Sequence, residues 1–167
     1  METVYFKGTP VHTYGDVPVA GSKAPDFTLV TKDLAEINLA DFAGKKLVLN
    51  VFPSLDTGVC AASVRRFNKE AVGLDDVAVV CVSMDLPFAM NRFCVAEGID
   101  KVIAASAFRS PEFAHNYGML MVDGPLKGLL ARCVLIIDGQ GEVIYRELVD
   151  EITHEPDYEA ALKMLKN

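Results

Sequence analysis

The chain has 167 residues, of which 51% are hydrophobic and 23% charged, and its formal net charge is −7. That length suits one domain with a substantial core, and that composition excludes a disordered chain. The acidic balance argues against nucleic acid or an anionic membrane surface as a main partner.

No basic-then-apolar leader opens "METVYFKGTPVHTYGDV", and no run approaches the roughly 18 apolar residues of a membrane span. The expectation is a cytoplasmic protein, where a structural disulfide is unusual.

The elements follow in chain order. "TVYFK" and "PVHTY" flank Gly8-Thr9 and predict a hairpin. "GSKAPDF" is a turn-rich connector, followed by "DFTLVT" and "EINLADF" as short strands or a loop edge. "KKLVLNVF" reads as a buried strand, short and almost wholly apolar. A helix follows, with Cys60, Val64, Phe67 and Ala71 on one face at the helical period. "VAVVCVSM" is a second buried strand.

"DLPFAMNRFCVAEG" predicts a helix with Asp85 as cap, Pro87 early and Gly98 as its stop. "KVIAAS" is a third strand, and "SPEFAHNYG" a short helix capped by Ser110. "LMVDGPLKGLLA" reads as a loop with apolar content, and "RCVLIID" and "EVIYREL" as a hairpin about Gly139-Gln140-Gly141. "EPDYEAALKMLKN" closes the chain as a helix burying Tyr158, Ala161, Leu162 and Leu165.

Alternating strands and helices imply parallel strands under covering helices, and the terminal hairpin makes the sheet mixed. The fold expected is α/β and thioredoxin-like, a single domain over residues 1–167 with residues 1–18 as an N-terminal hairpin extension.

Cys60, Cys81, Cys94 and Cys133 form no Cys-x-x-Cys pair, and His12, His115 and His154 are scattered. A zinc site and a dithiol redox motif are therefore poorly supported, and any cysteine chemistry belongs to individual thiols. Cys60 lies where a buried strand turns into a helix, in "FPSLDTGVC". Backbone N–H groups are unpaired in a first helical turn and favour an anion. An ordinary cysteine is only about 3% thiolate at pH 7, and a helix N-terminus beside a cation raises that fraction. Thr57, one turn earlier, can cap the helix or hydrogen-bond the sulfur or a substrate oxygen. Pro53 can wall the site without offering an N–H. On these residues alone, a packed small hydrophobe and a reactive thiol both remain open for Cys60.

"PSLDTGVC" fits the P-x-x-x-T-x-x-C signature of the peroxiredoxins at Pro53, Thr57 and Cys60. With "GSKAPDFTLV" before it and "DGPLKGLLAR" and "LVDEITHEPDYEAAL" after it, nearly the whole chain resembles the bacterial thiol peroxidase subfamily, an atypical two-cysteine type. The resemblance implies a peroxidase acting on hydrogen peroxide and alkyl hydroperoxides. Cys60 would be the peroxidatic thiol, oxidised to a sulfenic acid. Thr57 would bond the peroxide and sulfur, Pro53 shield the sulfur, and Arg132 stabilise the thiolate and orient the peroxide. Taken alone, Arg132 reads as a surface charge at a strand end.

Cys81, among valines, and Cys133, facing away from Arg132 by strand alternation, read as buried packing. Spacing alone gives Cys94 the same reading. The resemblance instead makes Cys94, in "RFC", the resolving thiol of an intramolecular Cys60–Cys94 disulfide, reduced by thioredoxin. It implies no metal, flavin or haem, and a homodimer is common in the subfamily. A disulfide needs Cα atoms about 4.4–6.8 Å apart, and both cysteines lie on helices expected to pack on one sheet. Oxidation is therefore expected to unwind part of one or both helices.

Phe88, Met90, Phe93, Met119, Leu120, Met121, Leu126 and Leu129 can form an apolar collar suited to alkyl hydroperoxides, or simply core. Part of "MLMVDGPLKGLL" can form a dimer face. The carboxylates of "LVDEITHEPDYE" read as a loop and helix-start cluster. A redox sensor using the same thiol, and an inert thioredoxin-like binding module, are the rival functions.

Overall fold

Short runs of β-branched and apolar residues build a seven-stranded mixed sheet at the centre of the molecule. The structure is a computed structural model, and it describes residues 1–70 and 74–166. A separate N-terminal hairpin pairs β1 (Thr3–Phe6) with β2 (Thr9–His12). The main sheet contains β3 (Thr28–Thr31), β4 (Glu36–Asn38), β5 (Lys46–Val51), β6 (Val77–Ser83), β7 (Ile103–Ser106), β8 (Cys133–Ile137) and β9 (Val143–Leu148). Its order is β4-β3-β7-β6-β5-β8-β9. Strands β5, β6 and β7 run parallel, while β8 lies antiparallel to β5 and β3 antiparallel to β7. The helices are α1 (Gly58–Glu70), α2 (Pro87–Glu97), α3 (Pro111–Asn116) and α4 (Tyr158–Leu165). This is the thioredoxin-like arrangement expected from the element order. No described helix is long and apolar enough to cross a membrane.

The strands' period of two sorts the core into two layers. Leu47, Leu49 and Val51 of β5, Val80 and Val82 of β6, and Cys133, Leu135 and Ile137 of β8 share a cluster with Phe113 of α3. The alternate residues Val48, Val79, Cys81, Val134 and Ile136 face α1, α2 and α4. Cys60, Cys81 and Cys94 all belong to this second layer, and Cys133 to the first.

Several local expectations are corrected. The hairpin turn is Lys7-Gly8, both with φ positive, and Thr9 already belongs to β2. Two consecutive positive φ values suit the twist of a two-residue hairpin. Asp85 does not cap α2: the cap position is Leu86, which has no side-chain acceptor. Ser110 makes no capping bond either, because its hydroxyl donates to the Thr28 carbonyl at 2.5 Å. Gly98 does end α2, at φ 67°. Ala71 lies outside the described residues.

Candidate active site

Strand β5 delivers the chain into the centre of the sheet's α1 face, and the loop after it sets the start of α1. Asp85, at the end of β6, organises that loop. Its carboxylate accepts from Ser54 Oγ at 2.9 Å, Leu55 N at 2.8 Å and Ser83 Oγ at 2.6 Å. Asp85 therefore shapes the turn carrying Pro53, a role its position next to a predicted helix conceals.

Thr57 occupies the cap position of α1. Its Oγ1 accepts from the Cys60 N–H at 3.3 Å and donates to the Ser54 carbonyl at 3.2 Å. Of the roles open to Thr57, capping is therefore present, and no Thr57 bond to sulfur is formed. One turn further in, Ser63 Oγ donates to the Cys60 carbonyl at 2.8 Å and accepts from Asn50 Nδ2 at 3.1 Å. This fully buried pair ties the first turns of α1 to β5.

Cys60 has no exposed surface, and Arg132 is only 2% exposed. Arg132 Nη2 donates to Cys60 Sγ at 3.2 Å, and Arg132 Nε donates to the Ile152 carbonyl at 2.9 Å. Nη1 is buried without a partner. Arg132 forms no ion pair with a carboxylate among the described residues. Without a carboxylate partner, the guanidinium directs a donor at the Cys60 sulfur.

A cavity of about 210 Å3 opens over this pair, lined by Pro53, Thr57, Arg132 and by apolar groups including Phe6, Leu126 and Ile152. Cys60 itself is fully buried and does not line the cavity. Of the residues expected to form an apolar collar, Leu126 and Leu129 line the cavity. Met90, Met119 and Met121 are instead fully buried core, and Phe88 is 69% exposed on α2. Burial of Met119 and Met121 within their own chain also removes them from any dimer face.

Residues 19–162 match the Redoxin family. The chain belongs to that family. It is 52% identical over 165 residues to a thiol peroxidase of Corynebacterium glutamicum, covering 99% of each protein. It is 50% identical over 165 residues to a thiol peroxidase of Mycobacterium bovis, again covering 99% of each. A solved peroxiredoxin-like protein from Aquifex aeolicus shares the fold with a TM-score of 0.95 at 43% identity, over 99% of this chain and 96% of that one.

In this Redoxin-family chain, Pro53, Thr57, Cys60 and Arg132 come together. Cys94 does not join them: it is buried on α2 as a free thiol, in the same apolar layer as Cys60. Burial pushes the Cys94 thiol up, with Lys32 opposing and Asp33 adding to the effect. Burial also pushes Cys81 up to about 12, against the Asn50 hydrogen bond, and pushes Cys133 up as well. These three are held as thiols. Sequence reasoning missed the Ile152 carbonyl and Phe6. A main-chain acceptor leaves no residue-type signal, and the hairpin reaches the site only through tertiary packing.

Proposed function

We propose that the chain is a thiol peroxidase reducing hydrogen peroxide and organic hydroperoxides through Cys60, as part of antioxidant defence. The observation that carries this reading is the 3.2 Å contact from Arg132 Nη2 to Cys60 Sγ at the start of a helix, beneath a cavity. The thiolate attacks one peroxide oxygen, the O–O bond breaks, Cys60 becomes a sulfenic acid, and the other oxygen leaves as hydroxide or alkoxide and is protonated. Arg132 donates to the oxygens as negative charge moves onto the leaving group, its free Nη1 adding a second donor. Thr57 Oγ1 accepts a hydrogen bond from the peroxide O–H, which stays on the oxygen that becomes the sulfenic acid, and Pro53 walls the sulfur. Leu126, Leu129 and Phe6 give the cavity the apolar surface an alkyl hydroperoxide needs.

Cys94 then attacks the sulfenic sulfur, releasing water and forming the intramolecular disulfide. A thioredoxin dithiol reduces that disulfide by exchange. No cofactor takes part. A cytoplasmic location, a homodimer and a single domain over residues 1–167 belong to the same reading.

The test is peroxide consumption coupled to thioredoxin and NADPH recycling. Sustained turnover is expected, absent in Cys60→Ser and strongly reduced in Cys94→Ser. A single fast oxidation without turnover would point to the sensor, and no fast oxidation at all would reject the reactive thiol.

A further inference from the structure

The N-terminal hairpin touches the same short segment that holds the arginine. Tyr5 N donates to the Asp150 carbonyl at 2.6 Å, and Ile152 N donates to the Tyr5 carbonyl at 2.8 Å. Between these two bonds sits Glu151. One of its carboxylate oxygens accepts from Gly8 N at 2.9 Å. The other accepts from Thr153 N at 3.0 Å, Thr153 Oγ1 at 2.9 Å and Lys7 N at 3.3 Å. Lys7 and Gly8 have φ of 51° and 84°, a turn that presents successive N–H groups to one anion. Glu151 thus clamps the hairpin turn on one side and its own loop on the other. The carbonyl of the next residue, Ile152, accepts from Arg132 Nε at 2.9 Å. The Ile152 side chain is buried with Val4 and Val11 of the hairpin and with Ala131, Arg132's neighbour.

We propose that Glu151 is a positioning residue for Arg132: it pins the hairpin turn and the 150–153 loop together, so that the Ile152 carbonyl holds the guanidinium on Cys60 and over the cavity. The proposal rests on the peroxidase reading of that site. It gives the N-terminal hairpin a function. A guanidinium has five N–H donors but a single Nε, and a bond at Nε fixes which way the two Nη groups point. Loosening the Ile152 carbonyl would let the Nη groups swing off the sulfur without unfolding anything else. The strong lowering of the Glu151 carboxyl, to about 2, agrees with the donors gathered on it, chiefly those of Thr153 and Gly8.

Glu151→Gln tests this, because it keeps one acceptor oxygen and leaves both Tyr5 backbone bonds in place, so the fold is retained. Two readouts are taken in the full chain: the rate of the first peroxide oxidation, and the pH profile of Cys60 thiolate absorbance, measured as the difference from Cys60→Ser. Each is repeated in an Arg132→Lys background, where the Nε bond no longer exists. The expected result is a rate loss of about tenfold and a thiolate profile moved to higher pH, with both effects falling below about twofold beside Arg132→Lys, the non-additivity of residues acting in one chain. Equal losses in the two backgrounds, or no loss with Arg132 present, would overturn the proposal. If the protein does not react fast with peroxide, the peroxidase reading fails, but the thiolate profile still tests the Glu151–Arg132 coupling.

Discussion

The two helices that carry Cys60 and Cys94 pack in the same layer, yet they are held very differently. Helix α1 begins with a threonine cap and buries Cys60, Ser63, Val64 and Phe67. Phe67 packs edge-on against Tyr158 of α4 at 5.6 Å between ring centroids, and Arg66 lies 4.9 Å over the same ring while bonding Glu70 and Glu159. Helix α2 begins at an uncapped Leu86 and buries only Pro87, Met90 and Cys94. Two of its apolar side chains, Phe88 and Val95, are 69% and 75% exposed. Local opening follows exposed apolar surface and unsatisfied ends, so α2 is the element expected to yield on oxidation. One helix holds its thiol against an arginine, and the other holds its thiol with no polar partner among the described residues.

Removing the arginine should break the α1 side most severely. Arg132→Met is expected to slow the first oxidation of Cys60 by about 100-fold, the scale of losing a preorganised donor to developing negative charge. Stopped-flow mixing with hydrogen peroxide measures it, and a loss under tenfold would mean that the 3.2 Å contact contributes little to the reaction.

Strengthening α2 should sharpen the contrast. Leu86 has the extended backbone of a cap residue, with φ −71° and ψ 152°. Leu86→Asp should stabilise α2 by about 1 kcal/mol and so slow disulfide formation by about fivefold, with the first oxidation unchanged. The sulfenic acid would then live longer, and repeated peroxide exposure should raise the sulfinic fraction seen by mass spectrometry.

Alkaline pH should loosen the same helix. The Cys94 thiol is raised by burial, so its proton is held more tightly in the folded helix than in an opened one. That stabilisation is complete below the ordinary cysteine value of about 8.5 and is lost as pH rises from there toward the folded value. Conversion of sulfenic acid to disulfide should accelerate as pH rises above about 8.5, and a flat profile from there upward would contradict it.

The smallest effect is expected at Cys81, which lies on β6 in the same layer but is held as a thiol up to about 12. Cys81→Ala should change oxidation and disulfide rates by less than about twofold, and iodoacetamide should leave Cys81 unlabelled in the folded protein at pH 8.

The strands, their order along the chain and the Pro53–Thr57–Cys60 constellation were legible because they depend on local pattern: an apolar run, a turn, a helical face. Cys133 was placed correctly on the face opposite Arg132 by strand alternation alone. The failures are tertiary. Asp85 looked like a cap because it precedes Pro87, but the loop after β5 takes its carboxylate with two hydrogen bonds and Ser83 of β6 adds a third. Ser110 was likewise taken by a carbonyl on β3. Met119 and Met121 looked available to a cavity or an interface until the hairpin and α3 closed over them. The grip of Ile152 on Arg132 lies in main-chain atoms, which carry no residue signature.

The most direct test of the account is amide hydrogen exchange by mass spectrometry before and after one equivalent of hydrogen peroxide. The account predicts that the protein loses two hydrogens as the Cys60–Cys94 disulfide forms, that peptides covering residues 87–97 lose protection, and that α1 beyond its first turn stays protected. Disulfide formation with α2 still fully protected, or with α1 melting in its place, would contradict it.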